Sequence, residues 1–187
     1  MPNHRPRRRR GAPAVSVLRL GHRAGRDPRL TTHLALTARA LGAERLYLHP
    51  PDPALADRVA AVTRAWGGNF EVVGTSDWRA PLAEYPGRIV HLTMYGEPLE
   101  RRLERLRASD RLLVVVGGAK VPSDVYRRAT WNLAVGHQPH SEVAALAVVL
   151  ERLRGVPGPG AWPGARRVIV PRARGKKVES RRPKGRP

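Results

Sequence analysis

Residues 132–153, NLAVGHQPHSEVAALAVVLERL, set a polar loop between a short apolar stretch and a helix. The loop, Gly136-His137-Gln138-Pro139-His140, carries imidazole and amide side chains on a backbone that glycine lets approach a ligand closely. Ser141 stands where an N-cap belongs, and Glu142 places a carboxylate in the first turn, where it suits the helix dipole. Two other loops share this character: Thr93-Met94-Tyr95-Gly96-Glu97-Pro98 and Gly117-Gly118-Ala119-Lys120-Val121-Pro122. A third polar loop, Gly21-His22-Arg23-Ala24-Gly25-Arg26-Asp27, is the most basic of the set. His137 and His140 have a spacing that could ligate a metal, but the chain has no cysteine and no third clustered ligand. They are expected to be loop hydrogen-bonding groups, with no metal.

The elements around these loops alternate. Strands are expected over 15–20, 45–49, 69–73, 88–93, 112–116 and around 132–135, with helices over about 31–41, 54–66, 99–108, 123–129 and from Ser141 to Leu153. Thr31 or Thr32 is expected to cap the first helix, and Asp27 to help. Strand–helix alternation predicts a parallel α/β sheet with helices on both faces. The β-branched run 112–116 reads as a central strand buried on both faces. The helix after Ser141 is apolar on nearly every face, so it is expected to be buried all round. Trp66, Trp78 and Trp131 are expected in the core or an interface, and His33 and His91 in structural roles. In such sheets ligands bind beyond the C-terminal ends of the strands, which singles out loops 93–98, 117–122 and 136–140. No G-x-G-x-x-G follows the first strand and no G-x-x-x-x-G-K-[ST] occurs, so the dinucleotide and P-loop readings lose their main support.

Charge sets the class of partner. Lys and Arg number 35 against 15 Asp and Glu. Residues 1–10 hold five Arg and no acid, and residues 165–187 hold ten Lys or Arg and one Glu. A near-ordinary domain between two basic arms points to a polyanion, foremost a nucleic acid. Arg101, Arg102, Arg105 and Arg107 could bind RNA, or form a solvated helix face paired with Glu100 and Glu104. No apolar run reaches the roughly 18 residues of a membrane span, and the basic N-terminus lacks a signal-peptide apolar core. A cytoplasmic protein is expected. The expected organisation is a basic disordered arm over 1–14, one domain over 15–155, and a Pro/Gly linker with a basic segment over 156–187.

Several stretches together resemble one family: LRLGHRxxRDxRxTTHLALTARALGA from residue 18, HLTMYG from 91, VVVGGAKVP from 114 and NLAVGHQPHSEVAALAVVLERL from 132. In this order they are similar to the archaeal tRNA (cytidine-56) 2′-O-methyltransferases of the SPOUT class, over about residues 15–155. RVIVPRARGKKV resembles that family's C-terminal segment. The resemblance implies the SPOUT (α/β knot) fold, whose C-terminal part is tied in a deep trefoil knot, and a homodimer. It implies S-adenosylmethionine as methyl donor and tRNA as substrate. It places the donor on Leu92, on Gly117, Gly118, Ala119, Lys120 and Val121, and on His137, Gln138, Pro139, His140, Ser141, Glu142, Val143 and Ala144. Family members usually read GAEKVP and NQPHSE where this chain has GGAKVP and HQPHSE, so an acidic side chain is lost at Ala119. Contacts through the backbone survive both changes.

The implied chemistry is transfer of methyl from a sulfonium to a ribose 2′-hydroxyl, which needs alignment and help with the departing proton. Arg19, with His22 and Arg23, matches the SPOUT position where an arginine approaches the target ribose and phosphate. Arg19 is expected to orient the ribose-phosphate and stabilise the developing alkoxide, with Arg23 or His22 in support. The rival readings are a SPOUT methyltransferase with another RNA target and a non-catalytic RNA-binding protein.

Overall fold

The run Leu112 to Val116 is the centre around which the sheet is assembled. In the computed structural model, which describes residues 11–26, 28–118 and 120–181, it lies within β5 (Arg111–Val116), with five successive residues buried. The other strands are β1 (Ala14–Arg19), β2 (Arg45–Leu48), β3 (Glu71–Gly74), β4 (Arg88–Pro98) and β6 (Trp131–Ala134). They form one sheet in the order β3-β2-β1-β5-β4-β6, parallel throughout. The chain builds outward from β1 through β2 to β3, crosses back to β4, inserts β5 beside β1, and then passes beyond β4 to lay β6 on the far edge.

Helices cover both faces, as the alternation predicts. On one face α1 (Pro28–Ala40), α2 (Pro53–Trp66) and α6 (Glu142–Arg154) pack Leu34, Ala38, Leu55, Val59, Leu146 and Val149 against Val15, Val17, Leu46, Val90, Val114 and Leu133. On the other, α3 (Arg79–Glu84) and α5 (Ser123–Arg128) bring Leu82 and Val125 to Leu18, Leu113 and Val115. Odd-numbered residues of β1 therefore face α1 and α6, and Arg19 ends that row.

Several expectations are corrected. Helix α1 begins at Pro28, a residue pre-set for the first helical position, so Thr31 and Thr32 lie inside the helix and neither is its cap. Asp27 lies outside the described residues. The helix expected over 99–108 is split into a 3-10 turn, Leu99–Arg101, and α4 (Leu103–Arg107), with Arg102 at φ −117 between them. Strand β4 runs five residues beyond its expected end at 93, because a bulge lets Glu97 and Pro98 pair again with Leu133 and Ala134. His33, expected in a structural role, is exposed.

Helix α6 starts and caps as predicted, but it is not buried on every side: Ala144 is exposed and Val148 is 39% exposed. One face packs on α1 and the sheet, and an apolar strip remains open in the single chain.

The C-terminal segment is more than a linker. The Gly68 amide donates to Pro163 O at 2.8 Å and the Arg166 amide to Ala65 O at 3.1 Å. Trp162 packs on Gly68, and the buried Arg39 guanidinium lies 5.6 Å from its ring centroid. Strands β7 (Arg167–Ile169) and β8 (Val178–Ser180) then form an antiparallel hairpin beyond α2. At the other end β1 starts at Ala14, with Pro13 buried, so the ordered core begins inside the stretch expected to be a loose arm. Residues 1–10 and 182–187 of the two arms lie outside the described residues. No described helix is long and apolar enough to cross a membrane.

Candidate active site

Arg19 is the largest of the fully buried side chains among the described residues, only 1% exposed. It ends the inward row of β1 at the point where strand building reverses, between β1 and β5, which is where parallel sheets leave a crevice. Its Nη1 lies 3.0 Å from Oε1 of Glu142, in the first turn of α6. The approach is off the N–H axis, so this is an ion contact without a hydrogen bond, and Nε and Nη1 have no hydrogen-bond partner among the described residues. A buried guanidinium with N–H groups to spare is costly unless something else takes them.

The loop before α6 is held from two sides. Ser141 Oγ accepts from the Val143 amide at 3.2 Å, which caps the helix as expected. His137 donates from Nε2 to Gly96 O at 3.1 Å, and His140 donates from Nδ1 to Ser141 O at 3.1 Å. His137 thus ties the loop to the β4 backbone, and His140 serves the loop's own backbone. Gln138 and Pro139 are exposed. Among the described residues no group of three or more His, Cys, Asp or Glu is placed to hold a metal ion.

Gly117 lies close against Val121: a Cβ on Gly117 would come within 2.1 Å of Val121 Cγ2. Gly118 instead faces open space, and Gly136, at φ +153, also has nothing within 4 Å where a Cβ would stand. Leu92 is 9% exposed at the end of the first β4–β6 pairing, and Lys120 is exposed. Ala119 lies outside the described residues.

His22 is placed differently from the expectation. It is 3% exposed, with Nδ1 2.9 Å from Thr31 Oγ1 and Nε2 3.1 Å from Asp52 Oδ2. Nε2 is placed to donate to the carboxylate, and Nδ1 shares a hydrogen bond with the Thr31 hydroxyl. Asp52 also caps α2, taking the Leu55 amide at 2.9 Å on Oδ1. That amide bond, and next the His22 contact, hold the Asp52 carboxyl below the usual range against the opposing effect of partial burial. His22 is therefore a clamp tying the β1 loop to α1 and α2, with both ring nitrogens committed. Arg23 is exposed on the same loop. Asp52 was not among the candidate residues, although Asp followed by proline at a helix start is a legible cap signal.

Behind the β4 bulge sits a second polar group that the sequence leaves unread beyond His91 itself. His91 is fully buried, its Nδ1 2.9 Å from Asn132 Oδ1 and its ring edge-on to Tyr126 at 4.5 Å. Asn132 Nδ2 donates to Tyr126 O at 3.0 Å. Burial lowers the His91 pKa, and Nε2 has no partner among the described residues. A cleft of about 1230 Å³ between the β2–β3 edge and residues 155–163 is lined by none of the loop residues above and not by Arg19.

The family model for tRNA ribose 2′-O-methyltransferase, aTrm56, matches residues 66–179. A tRNA (cytidine(56)-2′-O)-methyltransferase of Haloarcula marismortui is 48% identical over 171 residues, covering 89% of this chain and 95% of that protein. Among solved structures, an RNA methyltransferase of the TrmH family from Porphyromonas gingivalis superposes with a TM-score of 0.57 at 13% identity, covering 81% of this chain and 62% of that one. The SpoU methyltransferase AviRb of Streptomyces viridochromogenes, solved with the cofactor AdoMet, gives 0.51 at 15% identity, covering 76% of this chain and 57% of that one. These last two likenesses concern the fold alone.

Proposed function

The chain belongs to the tRNA ribose 2′-O-methyltransferase family, and from that premise we propose that it methylates the 2′-hydroxyl of cytidine 56 in the T-loop of tRNA, with S-adenosylmethionine as donor. The observation that carries this reading is the buried Arg19 guanidinium, with unpartnered N–H groups, beside Glu142 at the start of α6.

The loops fit such a donor. Gly118 and Gly136 leave space where side chains would stand, and Ser141 caps α6 so that the loop before it is fixed. Leu92, residues 117–121 and residues 137–144 would hold the donor, largely through backbone groups. When bound, it supplies an activated methyl group on a sulfonium. Arg19 takes the ribose-phosphate on its free N–H groups, and its charge favours the hydroxyl oxygen as the proton leaves. The His22 clamp holds the end of β1 still, so that this alignment is kept. His22 thus acts as a positioning residue, while exposed Arg23 supplies positive charge to the approaching RNA.

The same reading includes a C-terminal knot and a homodimer. The passage of the chain from β5 past β4 to β6 supports the first. The open apolar strip of Ala144 and Val148 on α6 supports the second, since a second copy would cover it. Basic residues of the hairpin and both arms would add sequence-independent affinity for tRNA that weakens with salt.

The deciding experiment is transfer from labelled S-adenosylmethionine to an unmodified archaeal tRNA transcript, with the product mapped by nucleotide. A 2′-O-methyl group on cytidine 56 is expected. Methylation at another nucleotide would overturn the target, and the absence of both transfer and donor binding would favour an RNA-binding protein.

A further inference from the structure

Tyr95 is 76% exposed, more than any other large hydrophobic side chain among the described residues. It does not sit on a loose loop. Strand β4 pairs with β6 as far as Leu92, loses register and pairs again from Glu97, so residues 93–96 are thrown out as a bulge between two anchored ends. Gly96 lies directly on the β6 backbone, where a Cβ would come within 2.5 Å of Asn132 and Leu133. Its carbonyl takes the His137 proton at 3.1 Å, which joins the bulge to the loop before α6. On the other side Thr93 Oγ1 lies 3.3 Å from the Tyr126 hydroxyl and accepts from the Tyr95 amide at 3.4 Å. The ring is thus presented to solvent at the rim of the candidate site on backbone held from both directions.

Positive charge flanks it. Arg102 is committed to Glu97 through contacts of 2.8 to 3.1 Å. Arg101 and Arg105 are exposed and add to the positive field that, after the Arg102 bond, holds the Glu97 carboxyl below its usual range. Their side chains make no hydrogen bond or ion pair among the described residues. A presented aromatic ring with two uncommitted guanidinium groups fits an unpaired nucleotide: the ring offers a face to a base and the arginines meet phosphates. A ribose in a folded RNA loop becomes reachable when its base leaves its stack, and that departure costs stacking energy which a protein ring can replace.

We propose that Tyr95 is the platform on which a base of the opened RNA loop stacks, with Arg101 and Arg105 on the adjoining phosphates. This rests on the RNA-methylating reading of the same site. The test is binding of the full chain to a tRNA transcript, followed by fluorescence anisotropy at several salt concentrations, with oligomeric state measured alongside. Tyr95→Phe should bind like the wild type and Tyr95→Ala about tenfold more weakly. The pair Arg101→Gln and Arg105→Gln should flatten the slope of log affinity against log salt by about 1.5. Unchanged binding by Tyr95→Ala, or equal weakening in Tyr95→Phe, would overturn the stacking role. So would a loss of oligomeric state in Tyr95→Ala, which would assign the ring to a second copy of the chain. Wild-type protein that binds the transcript yet transfers no methyl group would overturn the functional reading and leave the stacking result standing. Wild-type protein that does not bind it would overturn both.

Discussion

The Arg19 guanidinium and the Glu142 carboxylate meet at 3.0 Å, joining the end of the first strand to the first turn of the last long helix. One partner is sealed in the core and the other is about a quarter exposed. Glu142 balances the charge without satisfying the N–H groups, so Arg19 is held in place and still able to donate. Charge-assisted donation to a phosphate or a developing oxyanion is stronger than a neutral hydrogen bond, and stronger still away from water.

Arg19→Ala is expected to lower methyl transfer at least about 100-fold, as removal of a transition-state donor does elsewhere. Donor affinity, measured by calorimetry without RNA, should stay unchanged. Arg19→Lys should restore little, since an ammonium lacks the planar fork. Full turnover in Arg19→Ala would remove it from the chemistry. Glu142→Gln leaves a buried charge uncompensated and should cost up to about 3 kcal/mol, the low end for a broken buried pair because Glu142 is partly exposed. Thermal unfolding reads that loss.

Asp52 joins the cap of α2 to the His22 clamp, and Asp52→Ala should destabilise the fold by about 1 kcal/mol for the cap alone. The folded carboxyl titrates below its ordinary value, so its contribution is complete above the unfolded value of about 3.9 and is lost as pH falls through the folded one. Asp52→Asn keeps a capping oxygen and should flatten this acid limb in thermal melts. An unaltered limb would mean that other carboxylates dominate it.

His91 carries the opposite ionisation into the same kind of dependence. Burial lowers its pKa, so the unfolded chain binds the proton more readily. Stability should hold above about pH 6.5 and decline as pH falls toward the folded value. His91→Phe retains a ring against Tyr126, removes the titration and strands Asn132 Oδ1, so it should be less stable at neutral pH yet less sensitive to acid. Equal slopes in both proteins, by chemical denaturation at pH 7 and pH 5.5, would exclude the imidazole as the cause.

Val148→Glu puts a charge in the open strip of α6 and should shift the protein toward monomer in sedimentation, with little loss of thermal stability per chain. A variant that sediments as the wild type would place any dimer contact elsewhere.

Much of this protein is legible in the sequence because much of it is local. Strand–helix alternation, the doubly buried run within Arg111–Val116 and the Ser141 cap depend on residues within a few positions of one another, and all three stand in the structure. The motifs that carry the family resemblance are likewise contiguous. His22 and Arg19 both lie in one such motif, yet sequence gave them neighbouring roles where the fold separates them: Arg19 points inward to α6, while His22 is taken up by Thr31 and Asp52.

What only the tertiary structure decided involves partners far apart in the chain. Asp52 is 30 positions from His22, and Gly96 is 41 from His137. No periodicity encodes such pairs, because they exist only once β1 lies beside β2 and β4 beside β6. The outward bulge of Tyr95 has the same origin, in a β4 that leaves β6 at Leu92 and meets it again at Glu97. The helix from Ser141 looked buried on all sides because its composition is apolar, but composition does not say what covers each face; the fold leaves Ala144 and Val148 open. Sequence determined which elements form and which residues can do chemistry, since propensity and capping are short-range; the packing of those elements decided which of the residues meet.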